Sequence, residues 1–192
     1  MKSRDYISLG IYTVLFLVVT MMVIFASAMS VFAYPFGIAL AAIPGAIIYF
    51  LMRLKVPKKG SVLLSGLVIG AIEFLIGAGW PVALGICVGA ILAEIITSAG
   101  DYKKFWQTAI GYGLFMTSFA IGTYGPIVYM KEFIEKQKTS NSLNQEFMNS
   151  LEKFLDPKLL VLIVGVTFLL SVIGCFFAKK VLNKKLKKAG II

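Results

Sequence analysis

Six long apolar stretches, separated by short segments that carry most of the charge, constrain this sequence more than any other feature. They lie near residues 7–33, 36–54, 61–78, 81–99, 105–130 and 158–180. Each approaches the roughly 20 helical residues that cross a bilayer core of about 30 Å. The stretches are continuously apolar rather than alternating, which favours helices over the strands of a β-barrel. We therefore expect an all-α membrane protein with six transmembrane helices, in one integral membrane domain covering residues 1–192.

The composition excludes an ordinary water-soluble domain. Hydrophobic residues make up 59% of the 192 residues and charged residues 15%, whereas soluble domains carry about 25% charged residues. A net charge of +10 would suggest nucleic-acid binding in a soluble protein, but here most lysines flank apolar stretches. We therefore expect membrane lipid as a partner and no nucleic acid. The first stretch is much longer than the apolar region of a signal peptide, so we expect an uncleaved first span.

Lysine and arginine residues collect on alternate connections, and this sets the predicted orientation. Those connections and the final segment contain Arg53, Lys55, Lys58 and Lys59, then Lys103 and Lys104, then Lys179, Lys180, Lys184, Lys185, Lys187 and Lys188. The intervening connections at 33–36 and 77–81 carry no charge. Segment 131–157 contains four lysines and five acidic residues, so its net charge is close to zero. Because cytoplasmic loops are enriched in lysine and arginine, we expect a multi-pass protein of the cell (plasma) membrane with both termini cytoplasmic, N-in/C-in.

The long segment between spans five and six contains its own helical pattern. Its apolar residues Leu143, Phe147, Leu151 and Phe154 recur at helical spacing, with polar residues between them. This pattern predicts an amphipathic outer helix over 142–155, lying on the membrane or on the outer mouth of the bundle. We expect this helix to act as a lid.

Two acids lie within the predicted spans, where an acid near the bilayer centre costs about 2.5–3.5 kcal/mol and should face the bundle interior. Glu73 falls in the outer half, and Glu94 lies deeper, roughly 20 Å below the outer face at 1.5 Å per residue. Their different depths argue against a catalytic pair. Each has two interpretations: contact with a polar, N–H-bearing substrate entering from outside, or a hydrogen bond to a neighbouring helix. The structural interpretation is the stronger one for Glu94.

Aromatic residues supply the other candidate contacts. Trp80, in the segment Gly77–Pro81, either stacks on a ligand or anchors the chain at the membrane interface. On span five, Tyr112 shares a helix face with Thr123, and this stripe either lines a pocket or packs in the core. The candidate substrate-binding residues are Glu73, Trp80, Tyr112, Thr123, Tyr124 and Tyr129.

The absence of histidine and of several catalytic motifs limits the reactions that this chain could catalyse. The chain has no histidine, which removes the commonest general base and metal ligand. It has no G-x-x-x-x-G-K-[ST] loop, no H-E-x-x-H or G-x-S-x-G motif and no paired cysteines. Cys87 and Cys175 lie within apolar spans, where we expect buried thiols. We therefore predict that the chain is not an enzyme and has no catalytic residues, metal site or cofactor; any ATP hydrolysis must come from partner subunits.

Short motifs carry a resemblance to a known family. Three features carry it: six spans with both ends inside, the sequence Gly79-Trp80-Pro81 between spans three and four, and a Gly-x-x-x-Pro sequence at Gly122–Pro126 in span five. In these features the chain resembles the substrate-binding S component of energy-coupling factor (ECF) transporters. The resemblance covers nearly the whole chain and is to the Trep_Strep group, also called MptD-type S components. It implies capture of a small, vitamin-like micronutrient outside, and docking on a transmembrane T component with two cytoplasmic ATPase subunits. It would place Trp80, Tyr124 and Tyr129 at the site, where Glu73 could also contribute.

The sequence also departs from that family. Many S components present an Ala-x-x-x-Ala docking motif on span one, whereas this chain has Ser8-Leu9-Gly10-Ile11-Tyr12, so its docking residues stay unassigned. Other functions stay open as well. The buried acids suit a stand-alone secondary carrier or small channel, and the basic tail suits a structural or regulatory membrane subunit on anionic lipid. An intramembrane enzyme is the remaining alternative.

Overall fold

A computed structural model of the chain describes residues 2–102, 104–132, 134–135 and 145–188, with side chains up to residue 183. The α-helices are α1 (Ser3–Ser27), α2 (Gly37–Lys55), α3 (Ser61–Leu75), α4 (Trp80–Ser98), α5 (Phe105–Tyr129), the short α6 (Gln145–Phe154) and α7 (Pro157–Lys188). A 3-10 turn at Tyr34–Phe36 leads from α1 into α2. These described ranges contain no strand, which confirms the all-α expectation.

Four of these helical segments are long and apolar enough to cross a membrane. They are Ser3–Ser27, Tyr34–Lys55, Trp80–Ser98 and Pro157–Asn183. Helix α3 is apolar but has only 15 residues, or about 22 Å of length. Helix α5 has 25 residues, but its glycines, threonines and tyrosines lower its mean hydropathy. The chain is therefore a multi-pass membrane protein by length and composition, and each predicted stretch contains one long helix.

Two helices end earlier than their apolar stretches. Helix α1 ends at Ser27, and the residues after it form the turn that leads to Pro35. Helix α3 ends at Leu75, and Gly77 and Gly79 follow with φ of 91° and 93°. Because L-residues with a side chain rarely adopt this left-handed backbone, the two glycines permit the sharp turn into α4.

The six long helices form a ring. Around it, α1 contacts α2, α2 contacts α7, α7 contacts α5, α5 contacts α4, α4 contacts α3, and α3 returns to α1. Helices α2 and α5 also touch across the interior. The largest fully buried side chains accordingly include Ile38 of α2 with Tyr112, Met116 and Tyr124 of α5. The core of the protein is the interior of this ring.

Small residues let α4 approach its neighbours closely. A Cβ atom added to Gly85 would lie 2.6 Å from the carbonyl oxygen of Ser118, and one on Gly122 would lie 2.7 Å from the carbonyl oxygen of Pro81. On the other side of α4, a Cβ on Gly66 would lie 2.2 Å from the Cβ of Ala90. The glycines therefore permit backbone contacts that any larger residue would prevent, as is common between membrane helices.

The amphipathic helix predicted between spans five and six is present as α6. Its buried side chains are Met148 and Leu151, and Phe147 and Phe154 are half-buried. The predicted helix began at residue 142, and Leu143 lies outside the described residues. The helical spacing of apolar residues thus correctly identified the face that α6 buries.

Candidate functional site

One end of the ring, here called the α6 end, brings together the Tyr34–Phe36 turn, the last turns of α3 and α5, and α6. Glu73 lies in the last turn of α3 with 3% of its surface exposed. The backbone N–H of Ala78 donates to the carbonyl oxygen of Glu73 at 3.0 Å, and this hydrogen bond closes the turn at the end of α3 that contains Gly77. Among the described residues, no lysine or arginine forms an ion pair with Glu73. A buried carboxyl group without a cationic partner is costly inside a bundle.

An aromatic group centred on Tyr34 lies at the same end of the ring as Glu73. Tyr34 is close enough to Glu73 to interact with it electrostatically. The Tyr124 hydroxyl donates to the carbonyl oxygen of Tyr34 at 2.7 Å, and the two rings meet edge to face with centroids 5.7 Å apart. Tyr34 therefore contacts the last turns of α5 through Tyr124.

Helix α6 covers this aromatic group. The ring of Phe147 packs against Tyr34 with centroids 5.6 Å apart, and Phe154 packs against Phe32 at 5.0 Å. Both contacts are nearly perpendicular, an arrangement that aromatic pairs favour. Helix α6 therefore packs on the connection between α1 and α2 through these two ring contacts.

The candidate residues do not all lie together. Glu73 and Tyr124 are both buried and lie at the same end of the ring as Tyr34, whereas Trp80 is 46% exposed and Tyr129 is 69% exposed. The hydroxyl of Thr123 donates within its own helix to Phe119, at 2.9 Å. Their roles in ligand binding stay predictions.

Tyr112 lies in the middle of the bundle rather than at the α6 end. It is 12 residues before Tyr124 on α5, or about 18 Å along the helix. Its buried hydroxyl donates to the carbonyl oxygen of Ala42 at 2.8 Å, and its ring packs against Tyr49 with centroids 4.8 Å apart. These contacts suit packing between α2 and α5.

A cavity of about 20 Å³ lies deeper in the ring, bordered by α1, α2, α3 and α5. Its lining includes Phe16, Tyr49, Ser65 and Phe115. A space of this size holds about one water molecule. It is too small for a micronutrient.

Glu94 belongs to the opposite end, here called the lysine-rich end, where it caps α3. Its carboxylate accepts hydrogen bonds from the backbone N–H groups of Gly60 at 2.7 Å, Val62 at 3.1 Å and Leu63 at 3.2 Å. The first N–H groups of a helix have no partner within the helix, and a negative charge there also suits the helix dipole. The contacts therefore favour the structural interpretation of Glu94.

Tyr102 completes this cap. Its hydroxyl donates a hydrogen bond to Glu94, and Arg53 lies over its ring at 4.3 Å from the centroid. Burial, followed by the hydrogen bond to Glu94, raises the pKa of Tyr102 to about 12. Tyr102 also has a φ of 58°, a rare backbone conformation for a bulky residue, so these contacts hold the connection to α5 in a specific shape.

Replacing Glu94 by alanine is expected to lower the stability of the protein by about 1–3 kcal/mol, because three backbone donors and one hydroxyl lose their acceptor. Thermal unfolding of the purified protein in detergent should show this as a lower Tm. Glu132, an exposed acid, provides the matched control as Glu132→Ala. Equal Tm values for the two variants would contradict the capping role.

The described residues contain no cluster of three or more histidine, cysteine, aspartate or glutamate side chains that could hold a metal ion. Cys87 is half-buried and Cys175 buried, and both are free thiols. The chemistry available at the α6 end is therefore that of a carboxyl group, hydroxyl groups and aromatic rings, which suits binding of a ligand.

Sequence reasoning did not identify Tyr34. Its position beside Pro35 in a charge-free connection was the available signal, since a proline in a turn fixes the backbone near it. Phe147 was recognised only as part of an amphipathic face.

Comparison with known families supports the membrane assignment. A family model described as a hypothetical bacterial integral membrane protein, Trep_Strep, matches residues 3–188. Comparison with curated proteins finds no match, and comparison with solved structures finds none either.

Proposed function

The chain belongs to the Trep_Strep family of bacterial integral membrane proteins, and we propose that it is the substrate-binding S component of an ECF-type importer. In this proposal it captures a small micronutrient outside the cell. A T component and two cytoplasmic ATPase subunits then supply the energy for its delivery. The family match supports a membrane protein, and the motifs at Gly79–Pro81 and Gly122–Pro126 support the S-component assignment.

The observation that carries the proposal is the burial of Glu73 in the last turn of α3, at the end of the ring where Phe147 of α6 packs on Tyr34. An uncompensated carboxyl group is costly unless a ligand or hydrogen-bond donors use it. The surrounding rings offer apolar surfaces and hydroxyl groups, which is the usual composition of a small-molecule site. A ligand that donates N–H groups and has a flat apolar part would match both features.

The orientation proposed for the membrane places the α6 end outside and the lysine-rich end in the cytoplasm. Fourteen of the 19 lysine and arginine residues are at the lysine-rich end or in the segments that join it, as the positive-inside rule favours. In the same arrangement all six long helices cross the bilayer, with α3 spanning it together with its glycine turn. The ATPases would then be on the side opposite the ligand.

Uptake measurements in intact cells test the assignment. Cells that express the chain with a T component and two ATPase subunits are expected to accumulate the ligand that mass spectrometry identifies in the purified protein. Cells that express the chain alone, or with an ATPase disabled in its phosphate-binding lysine, should show no accumulation. The chain has no nucleotide-binding loop of its own.

A second experiment, in liposomes, distinguishes the other candidate function. Ion-driven flux of the ligand into liposomes that contain only this chain would contradict the S-component proposal and favour a secondary carrier. The hydrogen bonds that Glu94 accepts argue against a carrier in which both buried acids exchange ions. Glu73 is then the acid that could respond to a ligand.

A further inference from the structure

Helix α7 is longer than a bilayer core requires. Its 32 residues extend about 48 Å, compared with a hydrocarbon core of about 30 Å. The apolar part from Leu159 to Ala178 is enough to cross that core. The helix continues from Lys179 to Lys188, so this last section lies beyond the core.

The last section of α7 is strongly basic. Between Lys179 and Lys188 there are six lysines and no acid. Lys179 and Lys180 are exposed. No residue of that section can therefore neutralise these charges.

Only one side of α7 packs against the bundle here. Ser171, Cys175, Ala178 and Leu182 are buried, and their spacing of three or four residues places them on one helix face. Lys180 is on the opposite side of the helix, and Lys179 is exposed at the edge of the packed face. Their side chains are thus available to a partner outside the protein.

Aromatic residues border these lysines at the end of the apolar part. Phe105, Trp106 and Phe176 pack with centroids 4.9–5.7 Å apart, and Trp106 is 57% exposed. Lys179 Nζ lies over the Phe105 ring at 4.6 Å from its centroid, and Lys104, which precedes α5, is exposed. We call this set, with Lys180, the interfacial cluster. Exposed tryptophan next to lysine is typical of the depth where acyl chains meet headgroups.

We propose that the interfacial cluster binds the headgroups of anionic phospholipids. Charge complementarity favours an anionic lipid, since the exposed lysines have no acid near them in α7. The adjoining exposed rings favour a lipid over a soluble acidic protein, because they offer an apolar surface at the same depth for the glycerol and upper acyl region. Lysines near a membrane surface are attracted to anionic lipids, and salt weakens the attraction.

Quenching of Trp106 by brominated lipids tests this proposal. The full chain with Trp80→Phe has Trp106 as its single tryptophan. It would be reconstituted in mixtures of phosphatidylcholine and phosphatidylglycerol, with either lipid brominated. Brominated phosphatidylglycerol is expected to quench Trp106 with a relative affinity on the order of 10-fold higher at low salt. High salt should reduce that preference.

Lysine variants show whether the cluster causes the preference. Lys179→Gln with Lys180→Gln is expected to reduce it to about twofold or less. Lys131→Gln with Lys158→Gln, which removes two exposed lysines outside the cluster, should leave it unchanged. Equal quenching by both brominated lipids, or a preference that survives in Lys179→Gln/Lys180→Gln, would overturn the proposal.

Discussion

Replacing Glu73 by glutamine is expected to weaken ligand binding by about 10- to 100-fold. The glutamine keeps the size of the side chain but removes the charge that an N–H-bearing ligand would contact. A hydrogen bond to a charged group contributes about 1.5–3 kcal/mol, which corresponds to that range of affinity. Titration calorimetry with the ligand recovered from the wild-type protein measures the change.

The fold should tolerate this substitution. Glu73 is 3% exposed, and an acid at such a position opposes membrane insertion, so its neutral replacement should leave the Tm equal or higher. Glu132→Gln removes an exposed acid and is expected to keep wild-type affinity. If Glu73→Gln binds the ligand with unchanged affinity, Glu73 has a structural role and does not contact the ligand.

Removing the two aromatic contacts of α6, in the double variant Phe147→Ala/Phe154→Ala, is expected to increase the rate of ligand release by about 30-fold. Phe147 packs on Tyr34 and Phe154 on Phe32. Each aromatic pair contributes about 0.5–1.5 kcal/mol beyond its buried area, and a loss of about 2 kcal/mol corresponds to a 30-fold change. Stopped-flow measurement of ligand dissociation gives the rate.

The control for this variant keeps α6 intact. Ile173→Ala with Phe177→Ala removes two exposed apolar side chains of α7 and should leave the release rate unchanged. Met148 and Leu151 still anchor α6 in the double variant, since both are buried. Association and dissociation rates equal to those of the wild type would mean that α6 is a static cover rather than a lid.

The helical content and the amphipathic helix could be predicted from the sequence because both depend on local patterns. The recurrence of Phe147, Leu151 and Phe154 correctly predicts the face that α6 turns inward. The end of α3 was less predictable. Apolar residues continue past Leu75, but the helix ends there because Gly77 and Gly79 adopt backbone conformations with positive φ.

The long-range hydrogen bonds of Glu94 and Tyr34 could not be predicted, because their partners are distant in sequence. Glu94 accepts a hydrogen bond from Gly60, 34 residues away, and Tyr124 donates to Tyr34 across 90 residues. Such contacts depend on how α3 packs on α4 and how α5 meets the α1–α2 connection. Counting residues along a helix predicts depth but not which neighbour lies at that depth.

Labelling from outside tests the central claim, which is that the α6 end faces the exterior and the lysine-rich end the cytoplasm. In a background with Cys87 and Cys175 replaced, Asn149→Cys on α6 and Lys59→Cys between α2 and α3 would each be treated with a membrane-impermeant maleimide. We predict that Asn149→Cys reacts in intact cells and that Lys59→Cys reacts only after permeabilisation. Reaction of Lys59→Cys in intact cells, with protection of Asn149→Cys, would contradict the account.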